Sequence, residues 1–156
     1  MSDTDHNGHF LEDFQVGQTL RSASITLSAE DIQEFAGRFD PQVFHLDPVA
    51  AEQTFFRGLA ASGWHTAALT MRLLVGCELQ PVGGLIGAGI DDLRWPQPTR
   101  PGDTLHLELE ILEVRASRSR PERGIVRVQV RTLNQHDEVV QSCIANIVAP
   151  SRKGQG

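Results

Sequence analysis

The segment Trp64 to Cys77 constrains this chain most. It reads Trp-His-Thr-Ala-Ala-Leu-Thr-Met-Arg-Leu-Leu-Val-Gly-Cys, and Arg72 carries its only formal charge. A helix that is apolar on nearly every side is expected to be buried on nearly every side. At this length it is too short to span a bilayer, so protein must surround it. Ser62, just ahead of it, supplies an N-cap.

The second half of the chain provides the surroundings. Leu85 to Arg94 is a candidate strand. Thr104 to Val114 alternates strictly, with Leu105, Leu107, Leu109 and Ile111 on one face and His106, Glu108 and Glu110 on the other. Gly124 to Leu133 sets Val126, Val128 and Val130 against Arg127, Gln129 and Arg131. Val139 to Val148 is apolar on both parities, as a central strand would be. The connectors Pro96-Gln-Pro98, Arg100-Pro-Gly-Asp103 and Asn134-Gln-His-Asp137 are turn-rich, and short links between the last three strands imply an antiparallel meander. Gly17 to Leu27 alternates as an earlier strand that can join their sheet. The expected architecture is a single α+β domain over residues 10–150, an antiparallel curved sheet wrapped around one long buried helix. Such a sheet leaves edges, and pairing them across a two-fold axis is one way to cover them. Residues 1–9 and 151–156 are expected to be disordered tails.

Between the first strand and the apolar helix the chain changes character. Ser28-Ala-Glu-Asp31 reads as a capping box, followed at helical spacing by Ile32, Phe35, Ala36 and Phe39. Pro41 stops that helix at Asp40 or just before it. Asp47-Pro48 starts a short helix through Gln53. This stretch of short pieces is where function tends to concentrate.

Charge and cysteine usage exclude some roles. A formal net charge of −6 argues against a nucleic-acid partner. Cys77 and Cys143 sit in no metal-binding or redox motif and read as core thiols. The polar start and the lack of any apolar run of spanning length point to a cytoplasmic protein without a membrane partner.

Asp40 and His45 are the residues most suited to chemistry. They flank a proline-forced turn, among Phe39, Val43, Phe44 and Leu46. A carboxylate and an imidazole in an apolar pocket can share one water, one group taking its proton while the other orients it. A helix C-terminus and burial are both expected to raise the pKa of Asp40 and make it a stronger base. On spacing alone, Asp40 as a turn cap and His45 as a satisfied, half-buried histidine are the default reading, because the Asp-x4-His spacing is common by chance. Ser62 and Gly63 open the apolar helix, where backbone N–H groups and the dipole favour an oxyanion or enolate. An ordinary serine cap with a glycine for close packing is the alternative there. His6 and His9 fall in the expected tail, and His65 reads as a packed histidine. Asp91-Asp92 reads as solvated, and Arg115, Arg118, Arg120 and Arg123 read as a solvated hairpin that could hold phosphates.

Taken in order, these residues resemble the MaoC-like dehydratase family, which includes the R-specific enoyl-CoA hydratases. The resemblance lies in Phe35-Ala-Gly-Arg-Phe-Asp40-Pro-Gln-Val-Phe-His45-Leu-Asp47, then Ser62-Gly63-Trp64, then Leu93-Arg-Trp-Pro-Gln-Pro-Thr-Arg-Pro-Gly-Asp103, then Asn134-Gln135. It covers about residues 12–148. It implies a hot-dog fold, a homodimer, and a lyase of acyl-CoA metabolism that adds water reversibly to a trans-2-enoyl-CoA. The CoA thioester would be the substrate, and no cofactor is implied. Asp40 and His45 match the family's catalytic pair, and Gly63 matches the glycine whose N–H holds the thioester oxygen. Ser62 lies beside that glycine, while Phe39, Phe44 and Trp64 would line and crowd the acyl pocket. The chain departs from the family at Arg38, Phe39, Gln42 and Val43, and Met71 stands where some hydratases carry a serine. Arg38 would lower the pKa of Asp40. A non-catalytic acyl-CoA binder therefore stays open as an alternative. An acyl-CoA thioesterase is a further one, although no Asp or Glu lies between Gly63 and Cys77.

Overall fold

Caps and alternation translate directly into elements in the computed structural model, which describes residues 8–154. Strand β1 (Thr19–Thr26) leads into helix α1 (Ala29–Phe39). The Ser28 hydroxyl accepts from the Asp31 N–H at 3.1 Å and the Asp31 carboxylate accepts from the Ser28 N–H at 2.8 Å, so both halves of the capping box form. Two one-turn helices follow, α2 (Val43–Leu46) and α3 (Pro48–Ala51), the latter capped by Asp47. Helix α4 (Gly63–Gly76) precedes strands β2 (Ile86–Arg94), β3 (Thr104–Ala116), β4 (Arg123–Leu133) and β5 (Val139–Pro150).

The five strands form one antiparallel sheet in the order β1-β3-β4-β5-β2. The meander β3-β4-β5 is as expected, and β2 crosses over to pair with β5 at one edge. Leu105, Leu107, Leu109, Ile111, Val126, Val128, Val130 and Ile147 form the sheet's inner face and are almost wholly buried. Helix α4 packs against that face through Leu73 and Leu74. This is the α+β arrangement expected of a hot-dog fold.

Two expectations need correction. Helix α4 is not covered on nearly every side within one chain. The sheet and α1 take one face, and Trp64, Met71 and Val75 on the other are 61%, 42% and 55% exposed. One sheet face can cover only about half of a helix, so composition alone overstated the burial. The tail boundaries also shift. Ser151 is buried, its hydroxyl donates to Glu12 at 2.6 Å, and Arg152 forks onto Asp13 at 2.8 and 2.9 Å. At the other end, the His9 N–H donates to the Gln80 carbonyl at 2.8 Å. His6 lies outside the described residues. Cys77 and Cys143 are buried free thiols, and burial pushes both thiol pKa values up. No helix among the described residues is long and apolar enough to cross a membrane.

Candidate active site

The loop before α4 is tied down from two directions, and those ties place the site. The Ala60 N–H donates to the Phe44 carbonyl at 3.0 Å, and the Ala61 N–H donates to the Thr99 carbonyl at 2.8 Å. Arg100 reaches the Phe56 and Leu59 carbonyls at 2.5 and 3.3 Å. The segment 56–61 is thus held between α2 and the β2–β3 connection, and Ser62 enters α4 from a fixed position. The Ser62 hydroxyl is fully buried and accepts from the Trp64 N–H at 3.3 Å.

Helix α1 ends as Pro41 requires, with Asp40 as its C-cap. The turn brings the His45 Nε2 to 3.3 Å from the Asp40 Oδ2. His45 is 4% exposed, and its Nδ1 lies 2.6 Å from the Ala60 carbonyl oxygen. A carbonyl only accepts, so Nδ1 carries a hydrogen. In the neutral ring Nε2 is then an acceptor facing a second acceptor. A shared proton or a donating water resolves that opposition, and both are what a water-handling pair requires. Phe44 stands edge-on to the imidazole at 4.6 Å and Phe56 lies 6.0 Å away, so the ring sits in an aromatic wall.

The expected rise in the pKa of Asp40 is overturned. Burial does push it up, but the Gln42 side chain, the Ser62 hydroxyl and the neighbouring His45 together hold it below the usual carboxylate range. Gln42 Nε2 donates to Asp40 Oδ1 at 2.5 Å. Arg38 is not among the causes, since its guanidinium lies over the Phe39 ring at 5.5 Å. Asp40 is therefore an ionised acceptor rather than a strengthened base.

His45 and Gly63 line a cleft of about 760 Å³ together with Phe44, Phe56, Thr66 and Trp95. Asp40 stands just behind this lining, next to Gln42 and His45, which both belong to it. A Cβ at position 63 would lie 2.7–2.9 Å from the Trp95 ring, so any other residue there requires that ring to move. The Gly63 N–H forms no hydrogen bond among the described residues and opens the helix at its positive end.

Not every expected contact is met. Phe39 is 66% exposed and lines a separate hollow with Phe35, Arg38 and His65. Trp64 does not line the cleft and instead meets Trp95 edge-on at 5.5 Å. His65 is packed as expected, stacked on Phe35 at 4.6 Å, and burial lowers its pKa. Asp91 pairs with Arg127 at 3.4 Å. Sequence reasoning missed Phe55, Phe56, Arg57, Thr66, Trp95 and Arg100 as lining residues. The available signal was the cluster Phe55-Phe56-Arg57 within the irregular stretch, which marked it as more than a polar loop.

The family model described as MaoC like domain matches residues 13–134. The crystal structure of a MaoC-like dehydratase from Rhodospirillum rubrum is 55% identical, with a TM-score of 0.89 over 93% of this chain and 99% of that one. The R-hydratase PhaJ1 from Pseudomonas aeruginosa is 31% identical, with a TM-score of 0.72 over 91% of this chain and 86% of that one. Uncharacterized protein YdeM of Bacillus subtilis is 32% identical over 127 residues, covering 81% of this chain and 89% of its own. The family match takes in β1 to β4, the apolar helix and the cleft residues, and the chain belongs to the MaoC-like dehydratase family.

Proposed function

We propose that this protein catalyses reversible hydration of a trans-2-enoyl-CoA to a 3-hydroxyacyl-CoA. The observation that carries the proposal is the 3.3 Å approach of His45 Nε2 and Asp40 Oδ2, with Nδ1 fixed on the Ala60 carbonyl, at the edge of a cleft that also contains Gly63. A water set between the two acceptors donates a hydrogen to each, which leaves an oxygen lone pair free to attack C3 of the enoyl group. As the O–C3 bond forms, the pair accepts the water's proton, and the electrons of the double bond move onto the thioester oxygen as an enolate. The Gly63 N–H and the α4 dipole would stabilise that charge. Return of the proton to C2 restores the carbonyl and leaves the pair unchanged. Phe44, Phe56 and Trp95 would hold the acyl or pantetheine part in apolar contact. Ser62 would set the charge on Asp40, and Trp64 would brace Trp95 rather than touch the substrate. No acyl contact is assigned to Phe39.

The working unit in this reading is a homodimer. The apolar exposure of Ile86 and Ile90 on edge strand β2, and of Met71 and Val75 on α4, supports a second copy as the missing cover. Two buried free thiols suit a reducing cytoplasm.

The test follows the loss of enoyl-thioester absorbance across a panel of trans-2-enoyl-CoAs, with the wild type beside Asp40→Asn and His45→Gln. Turnover by the wild type and a loss of about 10²–10⁴ in rate in both folded variants is the expected result. A folded, dimeric wild type that binds acyl-CoA and turns over none of the panel would establish the non-catalytic binder instead.

A further inference from the structure

The lining of the cleft that contains His45 and Gly63 carries arginine but no carboxylate, in an acidic protein. The chain has 20 Asp and Glu against 14 Lys and Arg, yet two arginines and no carboxylate line this cleft. The two arginines differ in what occupies them. Arg100 is committed, its guanidinium held on the Phe56 and Leu59 carbonyls. Arg57 is exposed, and its guanidinium has no ion pair and no hydrogen bond among the described residues.

The backbone beneath Arg57 is unusual. Its φ is +54°, in the left-handed region that favours glycine, and Gly58 follows at +152°. The turn is nonetheless well fixed, because the Arg57 N–H donates to the Thr54 carbonyl at 3.0 Å and the Gly58 N–H to the Ala51 carbonyl at 3.1 Å. A long cationic side chain thus occupies a position where the fold alone would favour glycine. The Phe55 ring beside it is 92% exposed; it meets the Phe56 ring near a right angle at 5.4 Å, and the rest of its apolar surface is open. An unpaired guanidinium and an open aromatic ring at the mouth of an apolar cleft match a ligand with an apolar arm and a phosphorylated end.

We infer that Arg57 is a specificity-determining residue that binds the phosphate groups of the thioester carrier. The inference rests on the enoyl-thioester reading of the same cleft. Arg57 touches no reacting atom. It selects thioesters that carry phosphate, whether the phosphate belongs to the nucleotide of CoA or to a 4′-phosphopantetheine arm.

The experiment compares wild type and Arg57→Gln with three enoyl thioesters of the same acyl group, carried on CoA, on 4′-phosphopantetheine and on pantetheine without phosphate. The expected result is a rise of about five- to tenfold in KM for the CoA thioester with kcat unchanged. The pantetheine thioester should show the same KM with both proteins. Added salt should weaken the wild type toward the variant on whichever phosphate-bearing thioesters show the KM rise, and not on pantetheine. A matching KM rise on phosphopantetheine assigns the contact to its phosphate, and a rise on CoA alone assigns it to the nucleotide phosphates. An equal effect on pantetheine, or no effect on CoA, overturns the inference. Arg57→Gly separates binding from folding: it should match Arg57→Gln in KM while keeping or raising Tm, because glycine relieves the left-handed strain. If the wild type turns over none of the three, calorimetric titration with desulfo-CoA decides independently of the hydratase reading. Binding that weakens in Arg57→Gln upholds the phosphate contact, and equal binding or none overturns it.

Discussion

Gly63→Ala tests the tightest contact in the site. The added Cβ would fall 2.7, 2.9 and 2.9 Å from three atoms of the Trp95 ring, closer than real side chains approach. These atoms belong to the body of the indole rather than to a flexible tip. The ring is anchored, since Trp95 Nε1 donates to Gln141 Oε1 at 2.9 Å and Gln141 is 2% exposed. Trp95 is also 40% exposed, so it can swing outward, and that movement sets the cost. Overpacking contributes about 1–3 kcal/mol, and stretching the anchoring hydrogen bond about 0.5–1.5 kcal/mol. The better helix propensity of alanine offsets under about 1 kcal/mol. The net expectation is a loss of about 0.5–4.5 kcal/mol, or a Tm lower by roughly 1–18 °C for a domain of this size. Rate should fall further than stability, by about 10²–10³, because the part of the clash relieved by the residue-63 backbone displaces its N–H from the thioester oxygen. Thermal melts and enoyl-CoA kinetics on Gly63→Ala, Trp95→Leu and the double variant provide the assay. If the clash is the cause, removing the indole should recover much of the stability lost in Gly63→Ala, a non-additive cycle. A Gly63→Ala protein with wild-type Tm and rate, or strictly additive stability losses, refutes the reasoning.

Three other outcomes follow from the same contacts. Because the folded-state pKa of Asp40 lies below its unfolded value, its contribution to stability is complete above about pH 4. That contribution is lost as pH falls through the folded value. Urea midpoints from pH 7 down to pH 2.5 should therefore show the wild type converging on Asp40→Asn in acid, and a gap independent of pH would contradict it. Gln141→Leu strands the Trp95 Nε1 and removes the 3.2 Å bond that Gln141 donates to the Thr70 hydroxyl. It should cost about 1–3 kcal/mol and shift tryptophan emission to longer wavelength, with unchanged emission and urea midpoint as the contrary result. Ile90→Lys puts a charge on the exposed edge strand and should give a monomer by sedimentation with its far-ultraviolet spectrum intact. A dimer that persists would move the interface away from β2.

What was readable in the sequence was local. The Ser28–Asp31 box, the leucine alternation of β3 and the stop at Pro41 act over a few residues, and each formed as expected. The candidate pair was also legible, because a five-residue separation across a proline turn leaves little freedom. The charge state of Asp40 was not. Its neighbours in sequence argued for a raised pKa, but its oxygens answer to Gln42 across the turn and to Ser62, which arrives from the start of another helix. The cleft wall failed to show for the same reason. Trp95 and Arg100 reach it only because the Thr99 carbonyl holds Ala61 and the Arg100 guanidinium holds the 56–59 carbonyls. Those contacts join segments some forty residues apart, and no periodicity encodes them. The exposed face of α4 makes a complementary point. Its composition called for burial on every side, yet one chain supplies only half the cover. The exposed hydrophobicity of Met71 and Val75 is what the proposed second copy would cover, a test that Ile90→Lys extends to the sheet edge.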